Sequence, residues 1–327
     1  MVDLAAGREA VPPGSAANLL QIHQDFPNQW DAWDVDAYYR NTVVDLTAAE
    51  EVTAADGGVR VVREVGASRV DQVITLPEGA RRVEIDTTVD WHEREKLLKA
   101  AFPLDVRADD SRGEIPFGHT RRPTHTNTSW EAAKFEFCAH RWLHVGEPGW
   151  GAALVNDSTY GHEVTRDVRP DGGTTTTVRL SLLRAPRFPD PEADQGRHRL
   201  RYALLVGADL GDAVTEGYRL NLPERRVPGS RAVAPLVAVD NDAVVIEAVK
   251  LADDRSGDVV VRLFESRGGR ATATLTTGFP VANVTVTDLL ERPLDAEGAR
   301  AGRELALRPF EILTLRLTPL AGISPSA

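Results

Sequence analysis

Short runs rich in Val, Ile and Thr, separated by turn-forming residues, recur along most of the sequence. In the clearest run, VEIDTTVDW at residues 83–91, apolar or β-branched side chains alternate with polar ones. This period of two is typical of a strand with one buried and one solvated face. The pattern predicts an all-β fold, with strands at residues 59–65, 69–76, 82–89, 174–183, 199–206, 243–251, 259–265, 271–276, 281–289 and 312–317.

Helical periodicity is scarce. Residues 209–218 are one short helix candidate, whereas residues 128–139 are ambiguous. Thr128 and Glu131 have the spacing of a capping box, but the FEFCAHRW stretch that follows them is equally typical of a strand. Many short strands with frequent turns favour sandwiches or barrels over helical folds.

A break in the strand pattern falls at residues 223–235, where Pro228, Gly229 and Pro235 occur close together. This composition is typical of a linker. The chain has 327 residues, which is about twice the usual length of one domain. We therefore predict a large domain at residues 1–226, a linker at 227–234, and a small β-sandwich at 235–327 that ends in a disordered tail.

The chain is acidic, with a formal net charge of −11, which argues against nucleic acid and anionic membranes as partners. No stretch of eighteen apolar residues occurs, and the N-terminus lacks the basic and apolar regions of a signal peptide. Cys138 is the only cysteine, which excludes an intramolecular disulfide and fits a reducing compartment. We expect a cytoplasmic protein that binds neither nucleic acid nor membrane.

Two features suggest a metal site, but neither has the spacing of one. His23-Gln24-Asp25 is a single H-x-D motif, whereas zinc needs three or four converging ligands. Four histidines lie in one stretch around Cys138, but their separations are irregular, which favours hydrogen-bonding roles. We predict no metal and no cofactor in this chain; the four histidines are His119, His125, His140 and His144.

Carboxylates beside aromatic residues are the next candidates. Asp31 and Asp34 flank Trp33, a combination that suits a sugar site but also suits a turn around a buried tryptophan. Glu93 and Glu95 could act as an acid and a base, or they could lie in a solvated loop. A retaining glycosidase needs two carboxyl groups about 5–5.5 Å apart, which spacing alone does not identify here. No catalytic residue is predicted.

Several stretches resemble the C-terminal region of family 38 α-mannosidases, particularly those of the cytosolic and bacterial type. The resemblance covers nearly the whole chain in order, and the motifs are specific together although each is weak alone. They are LLQIHQDFPNQWDAWDVDAYY (19–39), DWHEREKLLKAAFPLDV (90–106), EIPFGHTRRPTHTNTSWEAAKFEFCAHRWLHV (114–145), GAALVNDSTYGHEV (151–164), LSLLRAPRFPD (180–190), DQGRHRLRYAL (194–204), AVKLADDRSGDVVVRLFES (248–266), DLLERPL (288–294) and LRPFEILTLRL (307–317).

The resemblance implies a large supersandwich of the galactose-mutarotase type, followed by a smaller β-sandwich. It also implies that the Asp nucleophile and the zinc ion of the family belong to an N-terminal catalytic domain that this sequence does not contain. His23-Gln24-Asp25 matches a non-catalytic stretch of the family. The first residues, MVDLAAGREAV, resemble the second half of a hairpin, so we expect the first strand of the supersandwich to be missing.

The expected function is that of a non-catalytic, carbohydrate-binding part of an α-mannosidase, which completes the sugar pocket of a separately encoded catalytic domain. Its ligands would be α-mannoside glycans. Arg and Asn offer hydrogen bonds to hydroxyl groups, and Trp and Tyr stack on the apolar face of a pyranose. The predicted substrate-binding residues of this kind are Arg141, Arg184, Asn127, Trp130, Trp142, Asn156 and Tyr160.

Two alternatives remain open. The chain could be a stand-alone carbohydrate-binding or scaffold module, which would use the same kinds of residue without a catalytic partner. It could also be an independent enzyme of the aldose-epimerase type, which would need a His and a Glu as acid and base on the concave face of the supersandwich. A shared fold does not decide between these functions.

Overall fold

The computed structural model describes residues 1–225, 227–229, 233–294 and 303–320. The chain divides into two compact units: unit 1 is Met1–Glu114 with Thr120–Pro223, and unit 2 is Ile115–His119 with Glu224–Ala327. The predicted disordered tail and part of the predicted linker lie outside the described residues. The domain prediction assigned residues 115–119 to the first domain, whereas their contacts belong to unit 2.

Antiparallel strands make up nearly all of unit 1, as the alternating sequence pattern predicts, and the tenth and eleventh strands also include residues of unit 2. The strands are β1 (Val2–Asp3), β2 (Arg8–Glu9), β3 (Leu19–Gln24), β4 (Val44–Asp45), β5 (Glu51–Ala55), β6 (Gly58–Val65), β7 (Ser68–Thr75), β8 (Arg82–Trp91), β9 (Lys96–Leu104), β10 (Asp110–Ile115), β11 (Gly118–Pro123), β12 (Phe137–Cys138), β13 (Trp142–Glu147), β14 (Trp150–Asn156), β15 (Gly161–Val168), β16 (Thr174–Leu183) and β17 (Gly196–Val206).

Two large sheets carry the core of unit 1. The first has nine strands in the order β11-β10-β13-β14-β17-β8-β7-β6-β5, and the second has six in the order β12-β15-β16-β9-β3-β4. Leu98, Ala100 and Phe102 of β9 belong to the core shared by both sheets, together with Trp91 and Tyr202. Because successive side chains of a strand point to opposite faces, the residues between those of β9 lie on the outer face of the six-stranded sheet.

Three short helices interrupt the strands of unit 1, all of whose residues the structure describes. They are a 3₁₀ helix (Ala37–Thr42), α1 (Ser129–Ala132) and α2 (Leu210–Asn221). Asp209 caps α2 through a reciprocal capping box with Asp212, which confirms the helix candidate. The ambiguous segment contains both structures: Thr128 caps the single turn of α1, and β12 follows.

The N-terminal segment forms a short hairpin of its own, and the expectation that a strand precedes it stays a prediction. β1 and β2 pair with each other in a separate two-stranded sheet, with Val2 opposite Glu9. The Asp3 carboxylate accepts hydrogen bonds from the backbone of Ala5 and Ala6, and Gly7 has a φ of 61°, which an L side chain rarely adopts. These local interactions stabilise the turn between β1 and β2.

Unit 2 is a smaller sandwich of two sheets. Its described strands are β18 (Val237–Val239), β19 (Val244–Leu251), β20 (Val259–Glu265), β21 (Ala271–Thr277), β22 (Val281–Thr287), β23 (Glu304–Leu307) and β24 (Ile312–Pro319). They form sheets in the orders β18-β21-β23 and β19-β20-β24-β22, around a core that includes Leu263, Leu275 and Leu315. The all-β prediction of a large sandwich followed by a small one is confirmed.

A buried ionic network covers part of the outer face of the six-stranded sheet. Lys99 is fully buried, and its Nζ donates to Tyr39 Oη (2.8 Å), Glu136 Oε2 (2.5 Å) and Glu163 Oε2 (3.0 Å). Arg40 forms an ion pair with the other oxygen of Glu163 at 2.8 Å. The network therefore attaches the 3₁₀ helix and the segment of Glu136 to the sheet.

The electrostatics of the network keep Glu163 ionised. Burial by itself raises the pKa of this carboxyl group, but the charges of Lys99, Arg179 and Arg40 outweigh it and lower the pKa to about 2. A buried charge without partners is costly, so each member of the network depends on the others.

We expect Lys99→Met to destabilise unit 1 by about 3–5 kcal/mol, because the carboxylates of Glu136 and Glu163 lose their shared buried cation. Urea unfolding followed by tryptophan fluorescence would measure this loss, since every tryptophan of the sequence lies in unit 1. Lys96→Met on the same strand is the control and should change the free energy of unfolding by less than about 1 kcal/mol. A loss below 1 kcal/mol for Lys99→Met would contradict the assigned role of the network.

The pKa of Glu163 also predicts a pH dependence. Its folded value of about 2 lies below the ordinary value of 4.5, so its contribution is present above pH 4.5 and is lost as the pH falls towards 2. The shift corresponds to roughly 3 kcal/mol of unfolding free energy. Unfolding measured from pH 5 to pH 2 should show a steeper fall for the unmodified chain than for Glu163→Gln. Parallel curves would show that Glu163 is not the titrating group.

Candidate functional site

An open cleft with aromatic walls lies on unit 1. Trp30, Trp33 and Asp34 come from the loop between β3 and the 3₁₀ helix, and Phe188 comes from the loop between β16 and β17. These four residues line a volume of about 540 Å³. The three rings are 64–67% exposed, although large aromatic side chains usually bury most of their surface. We refer to these four residues as the aromatic cleft.

A tight turn places the two tryptophans beside each other. Trp30 has a φ of 59°, and its carbonyl oxygen accepts hydrogen bonds from the backbone N–H groups of Trp33 (2.7 Å) and Asp34 (2.9 Å). The base of the loop is closed by Asp36, whose carboxylate accepts from the backbone N–H of Asn28 at 2.7 Å. The loop conformation therefore depends on its own hydrogen bonds.

Arg184 anchors the loop that carries Trp30 and Trp33 through hydrogen bonds. Its Nε donates to Asp25 Oδ2 at 2.6 Å, and its Nη2 donates to the carbonyl oxygens of Asp31 (3.0 Å) and Asp34 (2.7 Å). Asp25 is buried, and burial raises its pKa, an effect that the hydrogen bond from Arg184 opposes. Arg184 thus positions the loop through Nε and Nη2, and it is not among the residues that line the cleft, so its contact with sugar stays a prediction.

Asp31 joins the two walls of the aromatic cleft. Its Oδ2 accepts hydrogen bonds from the backbone N–H groups of Arg187 (2.6 Å) and Phe188 (2.9 Å). The loop with the tryptophans and the loop with Phe188 are thereby fixed relative to each other. A cleft that is already formed avoids part of the entropy cost of ordering loops on binding.

The cleft also offers free polar groups. The side chain of Asp34 has no hydrogen bond or ion pair among the described residues, and the same holds for the indole N–H groups of Trp30 and Trp33. Flat apolar faces next to an acceptor and two donors suit a ring that has C–H groups on one face and hydroxyl groups at its edge. A pyranose has this chemistry.

Three of the residues predicted from the sequence have their functional groups engaged inside unit 1. Arg141 donates from Nη2 to Oε1 and from Nε to Oε2 of Glu114, and it lies over the ring of Tyr218 at 3.8 Å. Trp142 is 1% exposed. Asn156 is 2% exposed, and its Nδ2 donates to a backbone carbonyl at 2.9 Å. These interactions give the three residues packing and positioning roles in the structure, and their contact with sugar stays a prediction.

The other predicted residues lie at the surface. Trp130 on α1 and Tyr160 before β15 are 65% and 59% exposed, and Asn127 is also exposed. None of them lines the aromatic cleft, so their contact with sugar stays a prediction. Trp30 belongs to the WDAWD run at residues 30–34, which the sequence marked as a possible sugar site around Trp33. Phe188 was missed, because nothing near it in the sequence indicated its position.

The candidate metal ligands do not converge. His23 is buried on β3, its Nδ1 lies 3.2 Å from the carbonyl oxygen of Tyr39, and burial lowers its pKa to about 4. Within the described ranges, no group of three or more His, Cys, Asp or Glu side chains could hold a metal ion. Among the same residues, no helix is long and apolar enough to cross a membrane.

Glu93 and Glu95, the other candidate pair, have local partners. Glu93 accepts a hydrogen bond from the backbone of Ala67 at 2.8 Å, and Glu95 lies 3.7 Å from Arg187. These contacts stabilise the loops that lead into β7 and β9.

Comparison with known proteins gives independent evidence on the family of this chain. Residues 1–192 match the model of the glycosyl hydrolases family 38 C-terminal domain, and residues 243–315 match the family's C-terminal β-sandwich domain. Alpha-mannosidase 2C1 of Homo sapiens is 38% identical over 97% of this chain, and an alpha-mannosidase of Saccharomyces cerevisiae is 31% identical over 92%. The chain spans 31% of the length of each of these relatives.

A solved structure supports the fold. The crystal structure of an alpha-mannosidase from Enterococcus faecalis V583 superimposes with a TM-score of 0.75 at 17% identity, covering 96% of this chain and 40% of that one. The resemblance predicted from the motifs is confirmed by the family models and by the relatives. The chain therefore belongs to glycosyl hydrolase family 38 and corresponds to the C-terminal region of its members.

Proposed function

We propose that this chain is the carbohydrate-binding C-terminal part of an α-mannosidase, and that its aromatic cleft contacts an α-mannoside glycan. The observation that carries the proposal is the exposure of Trp30, Trp33 and Phe188 around the free carboxylate of Asp34. Exposed aromatic groups in a preformed cleft are typical of binding sites. We take the identity of the sugar, an α-mannoside, from the names of the relatives, which are α-mannosidases.

In this proposal the indole rings of Trp30 and Trp33 stack on the C–H face of the sugar, and the Asp34 carboxylate accepts hydrogen bonds from its hydroxyl groups. The hydrogen bonds of Arg184 and Asp31 keep the two loops in place. Binding then costs little loop ordering, so weak stacking and hydrogen-bond energies suffice for measurable affinity.

Hydrolysis belongs, in the same proposal, to a catalytic domain outside this chain, and the zinc ion of the family would be bound there. The basis is the length of the relatives, of which this chain spans less than a third. A separately encoded catalytic chain would serve as the partner, and the cytoplasm as the location. The stand-alone module remains the alternative that uses the same cleft.

The epimerase alternative is less well supported. His23 and Glu163 are a His and a Glu that both lie on the outer face of the six-stranded sheet. Both are buried, and Glu163 is already paired with Lys99 and Arg40. Proton transfer to a substrate requires a group within hydrogen-bond reach of it.

We expect Trp33→Ala to weaken binding of methyl α-mannoside by about tenfold, because one stacking face of the aromatic cleft is lost. Titration followed by ligand-observed NMR would measure the dissociation constant. Tyr38→Ala removes an equally exposed ring that does not line the cleft, and it should leave the constant unchanged. Equal effects of the two substitutions would refute the assignment of the cleft.

The purified chain with zinc and an aryl α-mannoside should release no aryl alcohol above the uncatalysed rate, because the proposal assigns both the nucleophile and the metal site to another domain. A colorimetric assay would measure this, with an intact family 38 α-mannosidase as the positive control. Turnover comparable with that control would overturn the non-catalytic part of the proposal.

A further inference from the structure

The charges around the aromatic cleft do not cancel. Arg184 is paired with Asp25 at 2.6 Å, and Arg187 lies 3.7 Å from Glu95, so both cations have an acidic partner. Asp31 is hydrogen-bonded only to backbone N–H groups, which carry no net charge. Asp34 has no cationic partner among the described residues. Within the described part of the chain, the side chains of Asp31 and Asp34 thus have no compensating cation of their own, and Asp34 is one of the residues that line the cleft.

The surroundings of Asp34 strengthen its effect on a ligand. The walls of the cleft are the rings of Trp30, Trp33 and Phe188, which have low polarity and focus the field of a nearby charge. The faces of these rings also carry partial negative charge and attract cations. The carboxylate of Asp34 and the aromatic rings therefore both favour a positively charged ligand.

We propose that Asp34 makes the aromatic cleft select sugars by their charge. Its carboxylate accepts hydrogen bonds from the hydroxyl groups of a neutral pyranose and attracts the ammonium group of an amino sugar. It repels sugars that carry a carboxylate or a phosphate. This inference rests on the proposed function, since it assumes that the cleft binds a pyranose.

The charge of Asp34 can be removed without disturbing the conformation of the loop. Its backbone carbonyl accepts from Arg184, and its backbone N–H donates to Trp30, but its side chain takes no part in holding the loop. Asp34→Asn therefore removes the charge while keeping the loop interactions and a side chain that can still bond to a hydroxyl group.

The test compares three sugars that differ in charge: 2-amino-2-deoxymannose, mannose and mannuronate. Dissociation constants would be measured by ligand-observed NMR at pH 7 and 0.15 M salt for the unmodified chain and for Asp34→Asn. A unit charge at contact distance changes affinity by about fivefold in water and by more at lower dielectric. We expect the amino sugar to bind most tightly and mannuronate most weakly, with a spread of about twentyfold that Asp34→Asn reduces to less than about fivefold.

The net charge of −11 on the whole chain also attracts cations, so a control for general electrostatics is needed. Glu78→Gln removes one charge from an exposed carboxylate outside the cleft, and it should leave the twentyfold spread in place. An equal reduction of the spread in Glu78→Gln and Asp34→Asn would overturn the role of Asp34.

Other outcomes of the same measurements distinguish a failure of charge selection from a failure of sugar binding. If the unmodified chain binds all three sugars with the same affinity, charge selection is wrong and the sugar-binding cleft stands. If Asp34→Asn weakens all three equally, Asp34 acts by shape or hydrogen bonding and charge selection is again wrong. If the unmodified chain binds none of the sugars, the proposed function itself fails.

Discussion

The outer face of the six-stranded sheet depends on one buried cation. Lys99 lies on a strand whose alternate residues fill the core, and its ammonium group has no access to water. A charge in such a place is stable only when acceptors surround it. Those acceptors, Tyr39, Glu136 and Glu163, come from three separate parts of the chain. Their convergence on Lys99 attaches the 3₁₀ helix and the segment of Glu136 to the sheet.

The aromatic cleft is organised by the same kind of interaction. Here the cation is Arg184, whose Nε donates to the buried carboxylate of Asp25 and whose Nη2 donates to two loop carbonyl groups. Asp31 then connects this loop to that of Phe188. Polar groups that are satisfied inside the protein thus hold apolar rings at its surface, where they are free to meet a ligand. Within this loop, Asp31 stabilises the conformation, whereas Trp30 and Trp33 are the residues to which we assign ligand contact.

The strands could be predicted because their signal is local. Alternation over residues 83–91 reflects one buried face, and β8 was found within one residue of that run. The hairpin of β1 and β2 was not predicted, since two-residue strands are too short to show a period. In the site, Trp33 and Asp34 were noticed together, but Phe188 is far from them in the sequence. Arg184 was expected to contact sugar; its Nε and Nη2 proved to donate to Asp25 and to the tryptophan loop, and the contact with sugar stays a prediction.

By itself, the sequence determined the all-β class and the family, because strand periodicity and ordered motifs are properties of neighbouring residues. Tertiary structure decided the role of each polar or aromatic residue within those motifs. Trp142 and Trp33 are the same residue type in equally dense motifs, yet one is 1% exposed and the other 67%. Burial depends on what distant segments pack against a side chain, as β14 and α2 do at Trp142, and no local pattern records that packing.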